Sequence, residues 1–160
     1  MKRFAAGLTA ALFLFQPAAA ECLITGENYG VGAAAAIVME AESGEVLFAQ
    51  EIHRQLPMAS TTKIMTALLT LEQPELRQEF TVDANAIQVE GSSMGLQTGD
   101  TVTLYALAVG MLLASGNDAA GAAAVHIGRS GEAFAEMMNR RAAQLGMNNT
   151  NFVTPSGLDA

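Results

Sequence analysis

Cysteine is nearly absent from this chain. Cys22 is the only one in 160 residues, which excludes an intrachain disulfide and leaves a free thiol with no assigned role. Basic residues are also scarce: eight Lys and Arg against 16 Asp and Glu give a net charge of -8. That balance argues against binding to nucleic acid and against an electrostatic hold on anionic lipid. No Cys/His cluster and no acidic ladder suggests a zinc or calcium site, so neither a metal nor another cofactor is expected. There is no internal repeat and no low-complexity tract beyond a richness in alanine. The length suits one domain with one core, or a piece of a larger one.

Residues 1–20 have the composition of a secretory leader rather than of a fold. Lys2 and Arg3 form a positive start, Phe4 to Phe15 an apolar stretch, and Ala18-Ala19-Ala20 a small-residue cleavage site. The apolar stretch is too short to remain as a membrane-spanning helix. Cleavage after Ala20 is expected, giving an exported chain over residues 21–160, with the periplasm as its compartment. Glu21 stands where a lipoprotein signal needs a small residue, so Cys22 is not read as a lipid anchor. Without the leader the net charge becomes -10, and Lys63 is the only lysine that remains. No later segment qualifies as a transmembrane span.

Hydrophobic patterning organises the rest. Ala33 to Glu40 and Val46 to Gln50 read as two strands of a hairpin around Ala41-Glu42-Ser43-Gly44-Glu45. Pro57 precedes a helix predicted from Ser60 to about Glu72, with Pro74 as its stop. Residues 77–102, rich in turn residues such as Gly91-Ser92-Ser93 and Gly99-Asp100, read as short extended pieces. From Thr103, a plausible N-cap, Leu104, Leu107, Ala108, Met111 and Leu112 repeat at helical spacing. Ser115-Gly116-Asn117-Asp118 ends that helix. Further helices are predicted over about Ala119–Ile127 and Glu132–Leu145, the second closed by Gly146. A hairpin followed by a helical middle is an α+β pattern.

Two short motifs carry chemistry. Ser60-Thr61-Thr62-Lys63 places a hydroxyl and an amine three residues apart, on one helix face. Serine needs an adjacent base to become a nucleophile, and a lysine kept neutral by burial can serve. The plain alternative is an N-capping serine followed by a surface lysine. Ser115-Gly116-Asn117, about 50 residues on, is a turn between helices that can project a hydroxyl and an amide into a cleft. Ser115 can relay a proton there, and Asn117 can hydrogen-bond a substrate amide. Alone, Ser-Gly-Asn is a routine turn; paired with the serine/lysine couple it gains weight.

With these motifs and their flanks the chain resembles the serine D-alanyl-D-alanine carboxypeptidases, the low-molecular-mass penicillin-binding proteins. The resemblance runs through Ala59-Ser60-Thr61-Thr62-Lys63-Ile64-Met65-Thr66-Ala67 and Leu112-Leu113-Ala114-Ser115-Gly116-Asn117-Asp118-Ala119-Ala120. It continues in Phe134, Met138-Asn139, Leu145-Gly146-Met147, Asn149-Thr150-Asn151-Phe152 and Pro155-Ser156-Gly157-Leu158-Asp159. It covers roughly residues 31 to 160. It implies the α+β penicillin-binding-protein and serine β-lactamase-like transpeptidase fold, with a helical lobe and an N-terminal β-hairpin. It further implies that Ser60 attacks the bond between two terminal D-alanines of a peptidoglycan pentapeptide and becomes acylated. Lys63 would be the base, Ser115 would move a proton to the leaving group, and Asn117 would orient the substrate amide. The Ser60 N–H would form half of the oxyanion hole. β-Lactam antibiotics would acylate Ser60 too, because their strained amide mimics the D-Ala-D-Ala bond.

The family's third motif, Lys-Thr-Gly on a late strand, does not occur, since no lysine follows Lys63. The C-terminal sheet strands that carry it are likewise expected to be missing, leaving residues 21–160 as an incomplete catalytic domain. Loss of one oxyanion donor costs about 3–4 kcal/mol in a comparable serine hydrolase. The 160 residues alone are therefore expected to be a poor enzyme or none, and the hairpin to carry an exposed edge. The alternatives are a murein D,D-endopeptidase, a class A β-lactamase relative, or a non-catalytic remnant. A β-lactamase is disfavoured because no Glu-x-x-Leu-Asn pattern follows Asn117. His53 and His126 read as structural or surface residues, Asp118 as stabilising a helix terminus, and the nine methionines mostly as core filling.

Overall fold

The computed structural model describes residues 30–158. The predicted leader with its cleavage site, Cys22 and Asp159 lie outside the described residues. The chain divides into two compact units, Met1–Arg54 and Gln55–Ala160.

In the first unit β1 (Ala36–Met39) and β2 (Val46–Gln50) form the predicted antiparallel hairpin. The partners are Ala36 with Gln50, Ile37 with Ala49 and Val38 with Phe48; a register irregularity between Val38 and Met39 sets Met39 opposite Val46. β1 is shorter than the predicted Ala33–Glu40. At its start the Ala33 carbonyl accepts from the Gln50 side-chain amide, 2.6 Å away, instead of joining a ladder. The turn is closed by Glu40, whose carboxylate accepts from the Ser43 hydroxyl at 2.6 Å and from the Ser43 and Glu42 N–H groups. The Ser43 hydroxyl and these N–H groups lower the Glu40 pKa to about 2.

The second unit is a helical cluster with one small hairpin. A 3₁₀ turn (Ala59–Thr62) leads into α1 (Lys63–Leu71); β3 (Glu79–Thr81) pairs antiparallel with β4 (Thr101–Thr103). Then come α2 (Leu104–Leu113), α3 (Asn117–Gly128) and α4 (Gly131–Gln144). Sequence chemistry sets the boundaries. The Thr103 and Ser130 hydroxyls each accept from the N–H three residues on, capping α2 and α4 at 3.1 Å. Gly146, with φ +77°, closes α4: its N–H bonds the Ala143 carbonyl and the Met147 N–H bonds that of Ala142, a Schellman arrangement.

The alanine-rich α3 packs against α1, α2 and α4. Its small side chains let the backbones approach, and at Gly121 a Cβ would collide with the Ala86 carbonyl. One buried cluster joins Leu104, Leu107 and Met111 of α2 to Ala119, Ala120, Ala122 and Ala123 of α3 and to Val82. A second joins Met65 and Leu69 of α1 to Phe134, Met138 and Ala142 of α4 and to Phe152. Met65, Met111 and Met138 are buried as expected, whereas Leu112 departs from the α2 pattern, being 55% exposed. At 100° per residue it continues the outer row of Tyr105 and Val109, not the inner one.

Among the described residues each of the two sheets has only two strands, and no helix is long and apolar enough to cross a membrane.

Candidate functional site

The predicted serine/lysine pair is assembled where α1 begins. Ser60 lies in the 3₁₀ turn before α1, one turn earlier than the α-helix itself. Its side is exposed, while Lys63 is 2% exposed. The Lys63 Nζ lies 3.1 Å from Ser60 Oγ and donates to the Ser156 carbonyl at 3.0 Å. Neither ion pair among the described residues involves Lys63, so no carboxylate offsets its desolvation. Burial accordingly pushes the amine below its ordinary pKa of 10.5. A lowered pKa, a hydroxyl in reach and an exposed oxygen are what a nucleophile and its base require. Neither part of the plain alternative holds: Ser60 lies inside the 3₁₀ turn while Met58 and Thr62 occupy the N-cap positions, and Lys63 is buried rather than on the surface.

The backbone before the pair is strained. Ala59 has φ +47°, the left-handed region that costs a residue with a Cβ about 1–2 kcal/mol. Among the described residues the Ser60 N–H donates no hydrogen bond, although that of Thr61 bonds the Met58 carbonyl at 3.2 Å. A free N–H on the nucleophile itself suits a developing oxyanion.

Residues 154–158, of which Pro155 to Leu158 carry part of the resemblance and Thr154 does not, form the other wall. Thr154 Oγ1 accepts from the Gly157 N–H at 3.1 Å and donates to the Leu158 carbonyl at 2.8 Å, closing a tight turn. Gly157 has φ +80°, and a Cβ there would collide with the Ala59 carbonyl. Only glycine lets this turn seat against the strained segment ahead of Ser60. Asn139 on α4 anchors the approach: its side chain donates to the Phe152 carbonyl at 2.8 Å and accepts from the Phe152 N–H at 2.7 Å.

Ser115 and Asn117 lie at the α2–α3 junction. Ser115 is half-buried in the left-handed region, φ +54°. Among the described residues no hydrogen bond joins its hydroxyl to Ser60 or Lys63; the structure brings the first pair together and leaves Ser115 outside it. Asn117 opens α3, two residues earlier than predicted, because Gly116 is extended and the Asn117 N–H bonds the Ser92 carbonyl at 2.8 Å. Its Nδ2 donates to the Glu90 carbonyl at 2.6 Å, which leaves the second Nδ2 N–H and Oδ1 for a ligand.

Asp118 stands in the first turn of α3, as expected for a helix-terminus residue, and has a second task. Its 2% exposed carboxylate accepts from Ser93 Oγ at 2.6 Å and from the N–H groups of Met94, Gly95, Leu96 and Ala119 at 2.9–3.0 Å. Burial alone would raise its pKa, but the Ser93 hydroxyl and the Leu96, Met94 and Ala119 N–H groups lower it. The loop over residues 91–96 is thus tied to the head of α3 and walls Asn117. His126 stacks on Phe80 with ring centres 3.6 Å apart, as befits a packing residue. Burial, and then Arg129, lower its pKa, with Glu75 opposing. Among the described residues no group of three His, Cys, Asp or Glu is placed to hold a metal.

Comparison with known proteins identifies this architecture. The D-alanyl-D-alanine carboxypeptidase family model matches residues 23–160. D-alanyl-D-alanine carboxypeptidase DacC of Escherichia coli is 39% identical, over 100% of this chain and 42% of its own length. The crystal structure of DacD from Francisella tularensis superposes with a TM-score of 0.78 at 32% identity, over 88% of this chain and 35% of that one. Penicillin binding protein 5 of Haemophilus influenzae does so with a TM-score of 0.76 at 31% identity, over 86% and 42%. The chain belongs to the D-alanyl-D-alanine carboxypeptidase family, and its α+β fold is that of these enzymes. It spans 34–42% of the length of the first curated relatives it matches.

Proposed function

We propose that this chain carries the acylating machinery of a serine-type D-alanyl-D-alanine carboxypeptidase acting on peptidoglycan stem peptides, working slowly by itself because no Lys-Thr-Gly motif follows Lys63 in these residues. The observation that carries the reading is the Ser60–Lys63 pair: a buried amine, lowered in pKa, 3.1 Å from an exposed hydroxyl. Neutral Lys63 takes the Ser60 proton as Oγ attacks the carbonyl carbon between the two D-alanines. The Ser60 N–H faces the oxyanion that forms. Collapse breaks the C–N bond, and the proton passes, with Ser115 as the relay, to the amine of the leaving D-alanine. Water then hydrolyses the ester. Asn117 orients the peptide amide of the bound substrate through the side-chain groups that its bond to Glu90 leaves free. The composition of residues 1–20 supports export, with the periplasm as the place of action.

A fluorescent penicillin tests the reading on the full chain. Wild-type protein is expected to be labelled covalently, Ser60→Ala not at all, and Lys63→Met at least about 100-fold more slowly. A peptide ending in D-Ala-D-Ala should slow labelling where its L-Ala-L-Ala counterpart does not. Equal labelling of wild type and Ser60→Ala would sink the proposal.

A further inference from the structure

Lys63 and Thr66 are one helical step apart on the same face of α1. Lys63 Nζ donates to the Ser156 carbonyl at 3.0 Å, and Thr66 Oγ1 donates to the Pro155 carbonyl at 2.6 Å. Two side chains of one helix therefore grip two successive carbonyls of one turn. Thr66 is fully buried, and its hydroxyl also lies 3.8 Å from Met138 Sδ, so no water replaces that bond without opening the α1–α4 core.

The geometry points to Thr66 as a positioning residue for Lys63: its hydroxyl sets the Pro155–Ser156 peptide, and that peptide sets the amine against Ser60. This rests on Lys63 being the base. Neighbouring contacts fit the assignment. Thr70 Oγ1 donates to the Thr66 carbonyl at 2.7 Å, holding that turn of helix. The absence of a Cβ at Gly157 lets the Pro155-Ser156-Gly157 turn approach Ala59 and Thr62 closely. Without the Thr66 hydroxyl the Pro155 carbonyl loses its donor, the turn lifts to find water, and Lys63 is less covered and less firmly aimed.

The chain has two lysines, Lys2 and Lys63, so selectively ¹⁵N- and ¹³C-labelled lysine gives a direct NMR titration of Lys63 that needs no catalysis. Thr66→Val is expected to raise the Lys63 midpoint toward 10.5 by about one pH unit, because burial is what depresses it. Thr66→Ser, which keeps the hydroxyl, should stay at the wild-type value. In uniformly ¹³C-labelled wild-type protein the carbonyl ¹³C shifts of Pro155 and Ser156 should move together with the Lys63 titration; this arm stands even if Thr66→Val does not fold. A variant that loses thermal stability with an unchanged midpoint, or wild-type carbonyls indifferent to Lys63, would overturn the assignment. Penicillin labelling of Ser60 reports separately on whether Lys63 is the base, so the two ideas fail in distinguishable ways.

Discussion

At the residue scale the chain works by burying polar groups with partners that decide their chemistry. Lys63 is covered without a counter-charge and so gives up its proton more readily, whereas Asp118 is covered by five donors and holds its charge. Opposite pKa logic follows for function and stability. Penicillin labelling of Ser60 should accelerate with rising pH as Lys63 deprotonates, with a midpoint below 10.5; stopped-flow fluorescence at stepped pH measures it, and a flat profile contradicts it. The folded-state pKa of Asp118 lies below its ordinary 3.8. Its stabilisation is therefore complete above that pH and is lost as pH falls through the folded value. Asp118→Asn removes the charge from those bonds and should cost about 2–3 kcal/mol, read by urea denaturation at neutral pH. The difference from wild type should narrow in acid. His126, also depressed, subtracts stability as pH falls below 6.5, its ordinary value.

At the scale of elements, the helices bring polar residues to their ends and leave turns to complete the site. Ser60 and Lys63 were legible in the sequence because Ser-x-x-Lys is a spacing, and spacing is what a helix converts into proximity. Thr103 and Gly146 were legible for a similar reason, since capping preferences are local. Thr66, Ser156 and Gly157 escaped assignment because their contacts join segments about 90 residues apart, and a backbone carbonyl leaves no trace in residue identity. The left-handed Ala59 was equally hidden, as alanine gives no sign of the strain it carries. Leu112 misled because a helical repeat fixes period but not how wide the buried stripe is. The Asn139–Phe152 bonds hold the approach to the 154–158 turn onto α4. Asn139→Ala should lower stability by about 1–3 kcal/mol and slow labelling of Ser60 as well, because the wall beside Lys63 loosens. Circular dichroism melts and labelling rates on the same sample check both parts, and a melt unchanged from wild type would contradict the anchor.

For the molecule as a whole, family and fold class converge. The α+β pattern read from hydrophobic spacing agrees with the fold of the solved relatives, and residues 23–160 match the family model. The claim on which the functional reading stands is that Ser60 Oγ is the atom acylated. Trypsin releases Gln55–Lys63 as one peptide, with Ser60, Thr61 and Thr62 inside it. Full chain incubated with benzylpenicillin, digested and fragmented by mass spectrometry, is expected to carry the penicilloyl group on Ser60 of that peptide. No adduct, or one on any other residue, Cys22 included, would contradict the account.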